Sequence, residues 1–207
     1  MKKKVLLILC LLVVLTACSS KKMEGFSNDL KSGNYLVGRD MPEGEYSAKW
    51  INGTGKLRII ANDENLVDDI FGPEHQKTAI HEMDNIVLDA DTRVLVMGDL
   101  ELELTSTSLK SEEYSPVKTD DANAIELEAD KEFVIGSDIP EGLYTIQVIE
   151  GNGYVSSPNF PDGGISQTMG DKDNNLYLLE YRNVELIEGA NLTTSGVSVK
   201  LIPMVGI

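Results

Sequence analysis

The sequence predicts an all-β chain: two small antiparallel β-sandwich modules of jelly-roll type in tandem, carried behind an export signal. Three observations predict it. A stretch of about eighty residues recurs at an offset of 98, period-two apolar patterns mark strands in both copies, and no segment carries the 3.6-residue periodicity of a helix.

The repeat is densest where the residues from Tyr35 to Tyr46 align with those from Phe133 to Tyr144, six of the twelve positions being identical. The register then continues without a gap. Gly53 and Gly55 fall on Gly151 and Gly153, Asn85 on Asn183, Leu88 on Leu186 and Gly98 on Gly196. Omitting Asp99 brings Leu100, Leu102 and Leu104 onto Val197, Val199 and Leu201. Tyr46, Ala48 and Trp50 alternate with Glu45, Ser47 and Lys49, and Tyr144, Ile146 and Val148 do the same in the second copy, which is the signature of half-buried strands. Further short strands are predicted at 57–60, 78–83, 86–88 and 92–97, with counterparts near 154–156, 176–181, 184–186 and 190–194. Two half-apolar sheets must bury their inner faces against each other, so each copy is expected to close as a sandwich of about seven strands. The expected modules span 26–104 and 124–202. They are joined by a linker at 105–123, rich in Ser, Thr, Asp and Glu and containing Pro116, and are followed by a tail at 203–207.

The residues shared by the two motif copies read as a turn followed by a strand. Pro42 and Pro140 fix φ at the first corner, and Gly44 and Gly142 stand where a type I turn favours glycine. Asp40 and Asp138 can accept backbone amide hydrogen bonds, Gly38 and Gly136 precede them, and Tyr46 and Tyr144 begin the next strand with their rings turned inward. The pattern therefore predicts a structural motif rather than an active-site loop.

Ahead of the repeats, Lys2, Lys3 and Lys4 precede an unbroken apolar run from Val5 to Leu15, and Leu15-Thr16-Ala17-Cys18 follows. That is the layout of a secretory signal, and the run is shorter than the roughly 20 residues a membrane-spanning helix requires. Leu15 to Cys18 resembles the bacterial lipobox, which implies cleavage after residue 17, acylation of the Cys18 thiol and a tether over 18–25. Two or three acyl chains, at about 0.8 kcal/mol per buried CH₂, make a stable anchor. The expected location is the extracytoplasmic face of the cell membrane. Cys10 leaves with the signal and Cys18 carries lipid, so no disulfide is expected in the folded part.

Loss of the three lysines leaves 15 Lys and Arg against 34 Asp and Glu, a net charge of −19. Each copy separately carries −9. Such a field repels phosphate backbones, so nucleic acid is not an expected partner.

Catalytic and metal chemistry is not written here. The two histidines, His75 and His81, both lie in the first copy, no paired metal-ligand spacing or nucleophile motif occurs, and no cofactor is expected. Asp171 to Asn175 alternates oxygen ligands as a calcium loop begins, but it has neither the sixth-position glycine nor the distant glutamate, and reads as an acidic turn. Trp50 shares a strand face with Tyr46 and is expected in the core. Tyr154, Phe160 and Tyr181 have no aromatic counterparts in the first copy, which makes them the candidate ligand contacts.

The paired motif, Gly-x-Asp-[Met/Ile]-Pro-Glu-Gly-x-Tyr, resembles that of secreted and lipid-anchored proteins, mostly from Gram-positive bacteria, that repeat a Val-Gly-x-Asp-Ile-Pro-x-Gly-x-Tyr β module. Met41 stands where the pattern has Ile. The resemblance implies an extracytoplasmic location and a β fold, since most members have no assigned activity. The expectation from the sequence is a non-enzymatic, membrane-anchored binding or interaction protein facing an envelope glycan or a surface protein. The alternative is a structural or protective envelope lipoprotein, such as a spacer or a phage-exclusion factor.

Overall fold

The computed structural model describes residues 25–171 and 176–206. The expected export signal, Cys18 and most of the predicted acidic turn at 171–175 lie outside them. Among the described residues the chain is almost wholly β, its one helical element being a 3-10 turn at Asp121–Asn123.

In the first half, β1 (Ser27–Leu30), β2 (Gly33–Leu36), β3 (Gly44–Asn52), β4 (Gly55–Ala61), β5 (Glu64–Phe71), β6 (Glu82–Leu88), β7 (Arg93–Gly98) and β8 (Glu101–Leu109) form two layers. One sheet has the order β1-β8-β3-β6, and β2-β7-β4-β5 follow one another in the other. Apart from the β4–β5 hairpin, successive strands alternate between layers, as in the double Greek key of a jelly roll. The inward residues that period-two patterning selected make the core. Tyr46 and Ala48 from β3 and Leu102 and Leu104 from β8 face Leu57 and Ile59 from β4 and Val94 and Val96 from β7, all at most 1% exposed.

The second half contains β9 (Val117–Thr119), β10 (Ile125–Leu127), β11 (Lys131–Val134), β12 (Gly142–Ser156), β13 (Ser166–Gly170), β14 (Glu180–Leu186) and β15 (Asn191–Gly206). Here β12 runs through the positions that β3 and β4 hold in the first half, and β15 through those of β7 and β8. β10, β15, β12 and β14 lie in that order, while β11 pairs with the first part of β15 and β13 with the last part of β12. Each long strand crosses from one layer to the other at a bend. The bend needs glycine: Gly151 and Gly196 have φ of +87° and +71°, as Gly53 and Gly98 have +71° and +73°. Beside them, a Cβ on Gly153 would lie 1.7 Å from the Ser195 carbonyl oxygen, and one on Gly55 would lie 1.8 Å from that of Met97. A second core gathers Tyr144, Ile146, Val184, Val197, Val199 and Leu201.

The motif turns out to be built differently from a Pro-Glu-Gly type I turn. The hydrogen-bonded turn precedes the proline, with the Asp40 amide donating to the Leu36 carbonyl at 2.8 Å and that of Asp138 to Val134 at 2.8 Å. Gly38 and Gly136 supply the left-handed corner, at φ +90° and +91°. The carboxylates of Asp40 and Asp138 accept the backbone amides of Leu36 and Val134 at 2.7 and 2.8 Å. The prolines hold their carbonyls for the tyrosines: the Tyr46 hydroxyl donates to Pro42 O at 2.6 Å, and that of Tyr144 to Pro140 O at 2.8 Å. Gly44 is already in β3, where a Cβ would meet Ser108 O at 2.5 Å, so close strand approach, not turn geometry, requires glycine there.

Three further differences from the sequence reading have physical causes. β5 carries no apolar alternation, because it is an edge strand whose residues from Glu64 to Ile70 are almost all exposed, and charged edges resist unwanted pairing. Residues 78–81 contribute only an isolated bridge at Ile80. The expected linker contains strand at both ends: Thr105–Leu109 continue β8 along β3, and β9 pairs with the Met204–Gly206 end of β15, so residues 203–206 are likewise sheet rather than tail. Ser and Thr suit an exposed strand whose stability comes from ladder hydrogen bonds and not from apolar burial.

Candidate binding groove between the halves

The two halves meet edge to edge. β14 and β2 run parallel with Arg182 opposite Gly33, and the Arg182 amide donates to Ser32 O at 3.0 Å. Gly33 must lack a side chain, since a Cβ would lie 2.7 Å from Arg182 O. Next to this bridge, the buried Asn34 side chain donates to the carbonyls of Gly163 and Gly164, both at 2.8 Å, and accepts the Tyr181 hydroxyl at 2.9 Å. Tyr181 is 0% exposed, and burial raises its pKa well above the ordinary phenol value. The expectation that Tyr181 contacts a ligand is therefore corrected. It has no aromatic counterpart in the first copy because it serves the contact between halves, which the first copy makes with β2 instead.

The other predicted contacts do not line the groove between the halves. Tyr154 is exposed on β12 with its hydroxyl against Ser166 Oγ, and Phe160 is half-buried in the loop that leads to Gly163 and Gly164. Trp50 is half-buried against the first core, its indole N–H donating to Gly53 O at 2.9 Å and its ring edge-on to His81. No cluster of three or more His, Cys, Asp or Glu side chains that could hold a metal occurs among the described residues.

A groove of about 490 Å³ opens where β14, the N-terminal end of the described chain and the 110–117 segment converge. That volume lies within the range of small-molecule sites. Its walls include Phe26, Tyr114, Asp40, Arg182 and Asn183, thus both halves and the connection between them. The 110–116 connection is laid against the first motif by the Lys110 amide donating to Glu43 O at 2.9 Å and the Ser115 amide to Gly38 O at 3.0 Å. This presents Tyr114, 38% exposed, edge-on to Phe26 with ring centroids 5.8 Å apart. Arg182 also borders two neighbouring grooves, of about 340 and 400 Å³.

Ionic groups here arrive already paired. Arg182 Nε donates to Glu180 Oε1 at 2.5 Å, and Arg39 Nη2 lies 2.7 Å from Asp40 Oδ2. Burial pushes the Glu180 carboxyl up, but hydrogen bonds from Gln147 and Arg182 outweigh it and hold the group below the usual carboxylate range. Because the folded value lies below the unfolded one, Glu180 contributes stability that is complete above about pH 4.3 and disappears as pH falls through the depressed value. Glu180→Gln is expected to lessen the fall in the urea midpoint between about pH 5 and pH 3. An unchanged fall would show that Glu180 is not the group responsible.

Sequence reasoning did not single out Tyr114, Arg182 or Asn183. A lone aromatic in a Ser/Glu-rich connection was the available signal for Tyr114. Arg182, one of only four basic residues at 124–202, was another.

No family model matches the chain, and no curated protein does. Among solved structures, it is similar to a cupin 2 conserved barrel domain protein from Leptotrichia buccalis, with 12% identity over 91% of this chain and 92% of that one and a TM-score of 0.26. It is also similar to the regulatory domain of Toxoplasma gondii PKA solved with cAMP, with 12% identity over 86% of this chain and 78% of that one and a TM-score of 0.21. Scores this low carry no argument about what this chain binds.

Proposed function

We propose that this chain is an extracytoplasmic lipoprotein, held at the membrane by acyl chains on Cys18, whose two jelly-roll modules bind a component of the cell surface in the groove between them. The single observation that carries the reading is the groove itself, walled by both halves and by the connection that joins them. A plain spacer has no need of a solvent-exposed tyrosine fixed over a cavity. Binding rather than catalysis fits a sequence with two histidines and no nucleophile motif. The short apolar leader and the small residues before Cys18 support the anchor.

The test has two arms. Labelled palmitate should enter the full chain and not Cys18→Ser, which should appear in the soluble fraction. Immobilised full chain should recover an envelope component that Tyr114→Ala, altered at an exposed position, recovers at least about tenfold less well. Equal recovery by both, or none by either, would overturn the groove reading in favour of a spacer.

A further inference from the structure

We infer that the groove takes a neutral saccharide, an inference that rests on the binding reading above and narrows it to one ligand class. Four features of the site point there.

The first is charge. A protein this acidic repels an anion at long range. The local groups do not reverse that field, because Arg182 is paired with Glu180 and Arg39 with Asp40. A cation would need an uncommitted carboxylate, and Asp40 is committed twice over, to Arg39 and to the Leu36 amide. What remains is a polar wall of zero net charge, which favours an uncharged ligand with many hydrogen-bonding groups.

The second is Asn183. It is 4% exposed and borders the groove, yet among the described residues no hydrogen bond reaches its side chain. Gln167 Nε2 is the sealed, unpartnered side-chain atom found among those residues, so the Asn183 amide is not sealed and opens to the cavities it lines. One of these, at about 10 Å³, has room for a single water at most. That amide, without a protein partner, is available to a ligand hydroxyl. The backbone accounts for the residue type: Asn183 has φ +56°, and its counterpart Asn85 has φ +60° while exposed to solvent. In the second copy that amide is placed beside a groove.

The third is the aromatic wall. Tyr114 and Phe26 offer ring surface to the apolar face of a pyranose, with Tyr114 held by the backbone contacts of its neighbours. The fourth is the donor that Arg182 adds: its Nε is engaged by Glu180, and the rest of the guanidinium, in a side chain 40% exposed, is placed to donate to ring or hydroxyl oxygens.

The experiment is saturation-transfer NMR on the full chain in detergent micelles. The probes are neutral oligosaccharides of glucose, galactose, mannose and N-acetylglucosamine, with an oligomer of galacturonic acid as the charged comparison. At least one neutral member should bind, with the uronic oligomer weaker. Tyr114→Ala, Arg182→Met and Asn183→Gly should each weaken that binding about tenfold. Asn183→Gly accommodates the left-handed backbone while removing the amide, and the circular dichroism spectrum of each variant checks that the fold is kept. The inference is overturned if no neutral oligosaccharide binds at about 10 mM, if the uronic oligomer alone binds, or if binding survives all three substitutions. Should the saccharides fail while Tyr114→Ala still loses an envelope component that the unaltered chain recovers, the ligand class is wrong and the groove reading stands.

Discussion

Replacing Asn34 by leucine is expected to lower the stability of the whole chain by about 2–4 kcal/mol, although the substitution keeps the branched shape and adds apolar surface. The side chain makes three buried hydrogen bonds to the other half, to Gly163 O, Gly164 O and the Tyr181 hydroxyl. Gly163 O retains the Glu185 amide at 2.7 Å, so the loss falls mainly on Gly164 O and on Tyr181. Buried polar groups without partners cost more than a made hydrogen bond gains, which is why the leucine cannot compensate. Among the described residues, the halves are also joined by one bridged residue pair and by the Arg93–Glu185 ion pair at 3.9 Å, whose side chains are one-third and one-half exposed and which is therefore weak. Urea unfolding followed by tyrosine fluorescence and by circular dichroism should change from one coincident transition to two separated ones as the halves uncouple. A loss below about 0.5 kcal/mol, with coincident transitions, would mean that the edge contact does not join the halves energetically.

Tyr46 is the second position at which a large effect is expected. Its ring is 0% exposed at the centre of the first core, edge-on to Phe26 at 6.1 Å, and its hydroxyl reaches back to Pro42 O at 2.6 Å. Burial pushes the phenol pKa up, so the group stays neutral and a donor across the working pH range. Tyr46→Ala should cost about 3–5 kcal/mol through the cavity it leaves. Tyr46→Phe should cost about 1–3 kcal/mol, because the buried Pro42 carbonyl loses its donor. The urea midpoints of the two variants separate the contributions. If phenylalanine cost as much as alanine, the link between tyrosine and the proline carbonyl, and not ring volume, would be what organises the motif.

Legibility in the sequence followed the reach of the interaction. The alternation of Tyr46, Ala48 and Trp50 located β3 because side chains on a strand point alternately to two faces, and one of those faces is core. Asp40 and Asp138 were read as amide acceptors because that bond closes within four residues. β5 escaped because its pattern is that of an edge, where partnering is backbone to backbone and leaves no apolar mark. Thr105–Leu109 escaped for the same reason, and Tyr181 was misread because its partner, Asn34, lies 147 residues away.

By itself the sequence determined the all-β class, the inward residues of each sheet and the acidic surface, since each depends on neighbours a few positions off or on composition. The tertiary structure alone decided that β14 lies along β2, that the 110–116 connection carries Tyr114 over a groove, and that Arg182 and Asn183 stand at its wall. Those placements depend on pairings between residues far apart in the chain, whose side chains carry no periodic sign of the partner they meet.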